Sequence, residues 1–303
     1  MGTETITATL ESLISLRQPS RALELGARRS SLSVQAGGYR SVYRGRGLEF
    51  DEVRAYQAGD TARDIDWRVT ARRGKPHTKI FREERERPVL ITIDLDATMF
   101  FGSRLLKSVQ AQRIAGLIAW ATARAGDRIG GVVIGDGRSV ALPARPRTDA
   151  VLHLLRHMQR LQPQAPLAPM AGALDQGLGR LVHVVHPGSL LPVISDFHGL
   201  TDDGERRLSR LSKHNDLLLI LIFDPLEAEP PPAGRYRVAL PGSIREIESS
   251  GTTGLRWRAA FEGHRQRLET LSRKIRAPLV MVSTDADPLQ AIRYGLARHG
   301  RAA

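Results

Sequence analysis

Two carboxylates and a hydroxyl, Asp94, Asp96 and Thr98, alternate with Leu95 and Ala97 directly after the apolar run Pro88-Val-Leu-Ile-Thr-Ile93. Oxygen donors in such a series suit a hard cation such as Mg²⁺. The same residue types can supply a nucleophile and a general acid/base for phosphoryl transfer. They can also do no more than cap a helix, because carboxylates are favoured at helix N-termini. The run before them is uncharged and rich in β-branched residues, which is how a strand buried in a parallel sheet reads. Open α/β sheets bind their ligands beyond the carboxyl ends of such strands. The spacing therefore places three oxygen groups where binding or chemistry is expected.

The elements around this strand follow an alternating pattern. A helix is expected over 5–17 and an irregular, strand-like, Gly- and charge-rich segment over 31–87, with a half-buried strand at 78–81. Strands are expected at 88–94, 128–134, 139–142, 190–195, 216–223 and 279–283, the second and third joined as a hairpin through Gly135-Asp136-Gly137. Helices are expected near 103–125, 149–161, 172–185, 203–214, 255–276 and 288–299. A Pro-rich loop lies at 163–169, and an irregular stretch covers 235–248. The reading is an α/β fold with a doubly wound, mostly parallel sheet and helices on both faces. Three segments result: an N-terminal helical segment (1–30), a strand-rich element (31–87) and the α/β domain (88–303).

Composition narrows the function classes. The chain has 303 residues, 41% of them hydrophobic, enough for a sizeable core. Cysteine is absent, which excludes disulfides and thiol catalysis and fits a reducing compartment. The N-terminus lacks the order of a signal peptide, and the longest apolar run, 217–223, is too short to span a bilayer. A cytoplasmic protein is expected. Net charge is +13, from 45 Lys and Arg against 32 Asp and Glu. That balance suits an acidic partner, but the Arg residues are spread along the chain and aromatics make up 5%, so no nucleic-acid stacking platform is evident.

Two familiar motifs compete for the strand end. Asp94-Leu-Asp96-Ala-Thr98 resembles the opening motif of haloacid-dehalogenase-type phosphatases, which implies Asp94 as nucleophile, Asp96 as general acid/base and Mg²⁺ as charge neutraliser. The later motifs match less well: Gly135-Asp136-Gly137 lacks the acids expected after it. The same residues resemble the metal-ion-dependent adhesion site of von Willebrand factor A domains. There Asp94 and Thr98 fit the first and last ligand places, and Asp196 in Val193-Ile-Ser-Asp196-Phe fits a later one. Asp96 stands where Ser is expected, and Ala165-Pro-Leu-Ala168-Pro-Met has no hydroxyl for the middle ligand. On this reading Asp94, Asp96, Thr98 and Asp196 would hold Mg²⁺.

The segment upstream separates the two. It carries Gly45-x-Gly47-x-Glu49-Phe50, Arg54-x-Tyr56, Gly59-Asp60-x-x-Arg63-x-Ile65-Asp66-Trp67 and Thr70-Ala71-Arg72. Downstream follow Gly102, Lys107, Gly126-Asp127-Arg128, Ser195-Asp196-Phe197, Asp224-Pro225-Leu-Glu227 and Ser283-Thr-Asp285. This series resembles the bacterial family called domain of unknown function 58. The resemblance implies a von Willebrand factor A-like domain with an extra strand-rich element. It also implies a non-enzymatic adaptor that partners a MoxR-type AAA+ ATPase and a client protein. The alternating charges of Arg54, Asp60, Arg63, Asp66 and Arg72 suit a buried ion-pair lattice around Trp67 and Tyr56, since dense charge is costly to bury unpaired. An exposed docking surface with aromatic and Arg anchors is the other reading. His153 and His157 share a helical face without a third ligand, and His183 and His186 likewise read as solvated or core histidines and not as a metal pair. Ser189 lacks the G-x-S-x-G elbow, and no Walker-type phosphate loop occurs.

Overall fold

The computed structural model describes residues 6–25, 48–57, 62, 65–83, 87–165, 168, 170–240 and 243–300. Two compact units result, one of Met1–Arg28 with Arg87–Ala303 and one of Arg29–Glu86.

At the N-terminus the Thr9 hydroxyl accepts the Ser12 backbone N–H at 3.1 Å and opens helix α1 (Leu10–Ser15). The expected helix over 5–17 is shortened to this piece by its Thr9 cap and by the 3-10 turn Pro19–Ala22 that follows.

The smaller unit is built from strand β1 (Leu48–Ala55), helix α2 (Trp67–Arg73) and strand β2 (His77–Glu83), with β1 and β2 antiparallel. Strand β2 contains the expected strand at 78–81. Helix α2 was not anticipated within an irregular segment, yet its punctuation is legible. The Asp66 carboxylate accepts the N–H groups of Arg68 and Val69, and Gly74 ends the helix at φ 68°.

In the larger unit the apolar runs become strands of one sheet. The elements are β3 (Pro88–Asp94), α3 (Lys107–Arg124), β4 (Arg128–Gly135), β5 (Arg138–Arg145), α4 (Thr148–Leu161), α5 (Ala173–Val184) and β6 (Leu190–Ser195). They continue with α6 (Asp202–Leu211), β7 (Asp216–Phe223), α7 (Pro225–Ala228), β8 (Gly234–Leu240), β9 (Ser243–Ser249), α8 (Gly251–Ile275), β10 (Leu279–Ser283) and α9 (Pro288–Gly300). The six-stranded sheet has the order β10-β7-β6-β3-β4-β5. Every neighbouring pair is parallel except β4 and β5, which form the anticipated hairpin. Its two loop residues, Asp136 and Gly137, both have positive φ (48° and 66°), the type I′ geometry that matches strand twist. The doubly wound, mostly parallel α/β expectation is met.

Period-two alternation splits the core into two layers. Along β7, Leu218, Ile220 and Ile222 belong to one buried cluster, with residues of α1, α3, α4 and α9, while Leu217, Leu219 and Leu221 belong to the other, with α5, α6 and α8. Helix α1 is docked by Trp120 of α3, whose indole N–H donates to the Leu13 carbonyl at 3.0 Å. The stretch 235–248, expected to be irregular, is instead the antiparallel hairpin β8–β9. Strand β9 is mostly exposed, and only the short alternation of Tyr236 and Val238 with Arg235 and Arg237 in β8 announces the hairpin in the sequence.

One glycine is required by close approach. A Cβ at Gly131 in β4 would lie 1.9 Å from the carbonyl oxygen of Ile91 in β3. Gly131→Ala must push apart two central strands, and overpacking of this kind costs about 1–3 kcal/mol or more. A melting temperature lowered by several degrees, or insoluble protein, is expected; an unchanged melt would show that the β3–β4 pairing gives way at no cost.

Candidate functional site

Strands β3 and β6 are parallel neighbours at the middle of the sheet. The chain proceeds from β3 to β4 on one side and returns to β6 on the other, so their carboxyl ends flank the point where the strand order reverses. Asp94 is the last residue of β3 and Asp196 follows the last residue of β6. The topology thus brings together two carboxylates a hundred residues apart in sequence.

Asp94 is 3% exposed. One of its oxygens, Oδ1, accepts the Asp96 backbone N–H at 3.0 Å, and Oδ2 accepts the Ser195 hydroxyl at 2.6 Å. Ser195 Oγ in turn accepts the Phe197 N–H at 2.8 Å, where the chain turns with φ 58°. Burial, reinforced by the Asp196 charge, pushes the Asp94 carboxyl up to about 7. Asp196, 1% exposed, behaves oppositely. Burial acts to raise its pKa, but the Lys107 ammonium and His198, by charge and hydrogen bonds together, outweigh that and hold it below the ordinary carboxylate value. Its Oδ1 accepts the Thr98 hydroxyl at 3.3 Å and the His198 N–H at 3.0 Å, and its Oδ2 accepts Lys107 Nζ at 2.8 Å.

Lys107 is the first residue of α3 and is 1% exposed. A cation at a helix N-terminus opposes the macrodipole, so ion pairs and not capping must hold it there. Nζ donates to Glu227 Oε1 at 2.7 Å as well as to Asp196. Burial alone would lower the pKa of this ammonium; the two carboxylates more than reverse that. Glu227 is positioned by a capping box at α7, its Oε2 accepting the Asp224 N–H at 2.8 Å while Asp224 Oδ1 accepts the Leu226 N–H. Asp224 is fully buried, and its Oδ2 gathers the Ser103 N–H, the Ser103 hydroxyl and the Thr284 hydroxyl. Four strand ends, β3, β6, β7 and β10, therefore meet in one polar cluster.

At the rim, Asp96 Oδ2 accepts the Met170 N–H at 3.3 Å, linking the β3 loop to the segment before α5. Asp96 precedes the 3-10 turn Ala97–Met99 but makes no side-chain cap bond to it. His198 is half exposed and stacks on His264 at 4.3 Å between ring centroids. His264 Nε2 donates to the Asp196 carbonyl at 2.7 Å, and burial holds its imidazole below the ordinary value.

The four residues expected to bind Mg²⁺, Asp94, Asp96, Thr98 and Asp196, do gather at one strand edge. Their oxygens, however, already face protein donors: N–H groups on Asp94 and Asp96, hydroxyls on Asp94 and Asp196, and an ammonium on Asp196. Among the described residues no three His, Asp or Glu side chains are arranged to hold a metal ion. The donor set present does not fit a cation cage.

The upstream signature lies in the smaller unit. Glu49 and Phe50 occupy β1, in register with Arg82 and Phe81. Asp66 caps α2, and Thr70 Oγ1 accepts the His77 N–H at 3.0 Å. Arg54 donates to the Ala55 carbonyl at 3.1 Å. Trp67 is 69% exposed, Arg72 is exposed and Tyr56 is partly so, which does not make Trp67 the centre of a buried lattice within this unit. Gly59, Asp60 and Arg63 lie outside the described residues. His153 and His157 contact each other edge to face at 4.5 Å, and Ser189 donates to the His186 carbonyl at 2.5 Å.

Sequence reasoning did not assign a role at the site to Lys107, Ser195, Asp224 or Glu227. A signal existed for Asp224-Pro225-Leu-Glu227, because an acid, a proline and a glutamate three residues on, placed after an apolar strand, spell a capping box. Lys107 stands in the downstream series that carries the family resemblance, but nothing local names its partners, which are 89 and 120 positions away.

The model of a family described as "Protein of unknown function DUF58" matches residues 52–270. Uncharacterized protein Rv1480 of Mycobacterium tuberculosis is 29% identical over 286 residues, covering 93% of this chain and 89% of that protein. Uncharacterized protein Mb1516 of Mycobacterium bovis matches to the same extent. Among solved structures, the conserved hypothetical protein BatB from Bacteroides thetaiotaomicron is similar at TM-score 0.48 and 15% identity, covering 71% of this chain and 99% of that one. A von Willebrand factor type A protein from Catenulispora acidiphila is similar at TM-score 0.42 and 14% identity, covering 74% and 43% of the two chains.

Proposed function

The chain belongs to the DUF58 family, and from that premise we propose that it is a non-enzymatic adaptor whose recognition face is the carboxyl edge of the central sheet. The observation that carries this reading is the cluster of buried Asp94, Asp96, Asp196 and Lys107 with the partly exposed Glu227, Thr98 and His198 at its edge. Apolar residues of similar volume would often stabilise such a position better than buried charges. Charges held there in fixed geometry are better suited to presenting a polar surface to a partner. The phosphatase reading needs an ionised Asp94 free to attack, whereas this carboxyl is pushed up to about 7 and accepts a hydrogen bond on each oxygen.

The partner we propose is a MoxR-type AAA+ ATPase acting with a client protein, on the strength of the signature from Glu49 to Arg72 and its downstream companions. No helix of the described residues is long and apolar enough to cross a membrane. Together with the absence of cysteine, this supports work in the cytoplasm. The test is capture of a purified MoxR-type ATPase by the immobilised full chain. Asp96→Ala and His198→Ala are expected to weaken capture by about tenfold or more, a loss typical of central interface residues. Arg273→Ala, at the end of α8 that feeds the opposite edge of the sheet, should leave it unchanged. Equal capture by all four proteins, or none by the wild type, would overturn the proposal.

A further inference from the structure

The cluster contains its own cation. We propose that the Lys107 ammonium takes the place a divalent metal would fill at this strand edge, so that the site assembles and recognises its partner without metal. This inference does not depend on which partner is bound.

Three observations converge on it. First, Lys107 Nζ lies 2.8 Å from Asp196 Oδ2 and 2.7 Å from Glu227 Oε1, with 1% of the side chain exposed. It neutralises, from inside the fold, the carboxylate a metal would need. The Phe101 ring, 5.8 Å from Nζ, adds a favourable face to the same ammonium. Second, both Asp94 oxygens are turned toward donors, Oδ1 accepting the Asp96 N–H and Oδ2 the Ser195 hydroxyl, and Asp196 Oδ1 accepts the Thr98 hydroxyl and the His198 N–H. A metal requires carboxylate lone pairs, and here each of these oxygens already faces at least one proton. Third, the segment before α5 brings the Met170 N–H to Asp96 Oδ2, a donor where a cation site would need another oxygen. Mg²⁺ in particular demands near-octahedral oxygen coordination at about 2.0–2.1 Å. An ammonium asks only for two or three acceptors, which Asp196 and Glu227 supply.

The experiment is titration calorimetry of the wild-type chain with Mg²⁺, Mn²⁺ and Ca²⁺ at millimolar concentration, beside thermal melts with each ion and with EDTA. No binding heat and a melting temperature indifferent to EDTA are expected. Sub-millimolar binding, with a melt lowered by EDTA and restored by Mn²⁺, would overturn the inference. Lys107→Met supplies the converse. With the ammonium gone, Asp196 and Glu227 face each other uncompensated, and Mn²⁺ is expected to raise that variant's melting temperature by several degrees while leaving the wild type unmoved. Lys107→Gln, which keeps a donor but no charge, serves the same purpose if the methionine variant does not fold. A folded variant that ignores Mn²⁺ would show that the ammonium does not stand in for a metal.

Discussion

Replacing Lys107 by methionine is expected to cost about 3–5 kcal/mol of folding stability, the range for removing one partner of a buried ion pair. The substitution keeps the aliphatic stem that packs at the start of α3, so the loss is electrostatic in origin. It leaves Asp196, 1% exposed, without its ammonium, and deprives Glu227 of the same partner. Glu227 is partly exposed and has His198 at 3.9 Å, so Asp196 bears most of the penalty. A domain of this kind has about 5–15 kcal/mol in total, so the variant should unfold at a much lower urea concentration. Removing the orphaned charge as well is expected to recover much of the loss: Lys107→Met with Asp196→Asn should melt well above Lys107→Met alone. Near-additive single losses in that cycle would show that the two groups are not coupled.

Asp94→Asn is expected to act in the opposite direction, and in a manner that depends on pH. In the unfolded chain Asp94 ionises near 3.8; in the folded protein burial moves this up to about 7. Between those values the unfolded chain has released a proton that the folded chain retains. The Asp94 contribution to stability is therefore full below pH 4, declines as pH rises toward 7 and is lost above it. A three-unit shift corresponds to a loss on the order of 4 kcal/mol. Asparagine is neutral at every pH and can keep both contacts: its carbonyl oxygen accepts the Asp96 N–H and its amide donates to Ser195 Oγ. Little change is expected at pH 4 and a clear rise in stability at pH 8, measured by urea unfolding at both. Equal destabilisation at the two values would show that the ionised carboxylate is what the fold requires.

Much of the fold was legible because its strands are long, apolar and separated by amphipathic helices. The runs 88–94, 190–195, 216–223 and 279–283 became β3, β6, β7 and β10 with the expected bounds. Two elements were not legible for definite reasons. In the β8–β9 hairpin β9 is mostly exposed and does not alternate, and the alternation of Tyr236 and Val238 with Arg235 and Arg237 in β8 is too short a signal to mark the pair. Helix α2 has no buried residue and only seven residues, so its cap, Asp66, was the sole clue. At the site, Asp94, Asp96, Thr98 and Asp196 were found by their position at strand ends. What those groups do there was not, because it depends on Lys107, Ser195 and Glu227.

The sequence by itself determined the fold class and the edge of the sheet at which polar chemistry gathers. Both follow from local patterns: apolar runs that must be buried, and carboxylates that end them. Only the tertiary structure decided the electrostatics of that edge. Asp94 and Asp196 are the same residue type in similar sequence settings, each closing an apolar strand. One is held down because α3 delivers the Lys107 ammonium to Asp196; the other is pushed up to about 7 because Asp94 is buried beside the Asp196 charge with only the Ser195 hydroxyl and a backbone N–H to offset that. A pKa is set by neighbours within a few ångströms, and at this site most of the deciding neighbours lie about a hundred residues away along the chain.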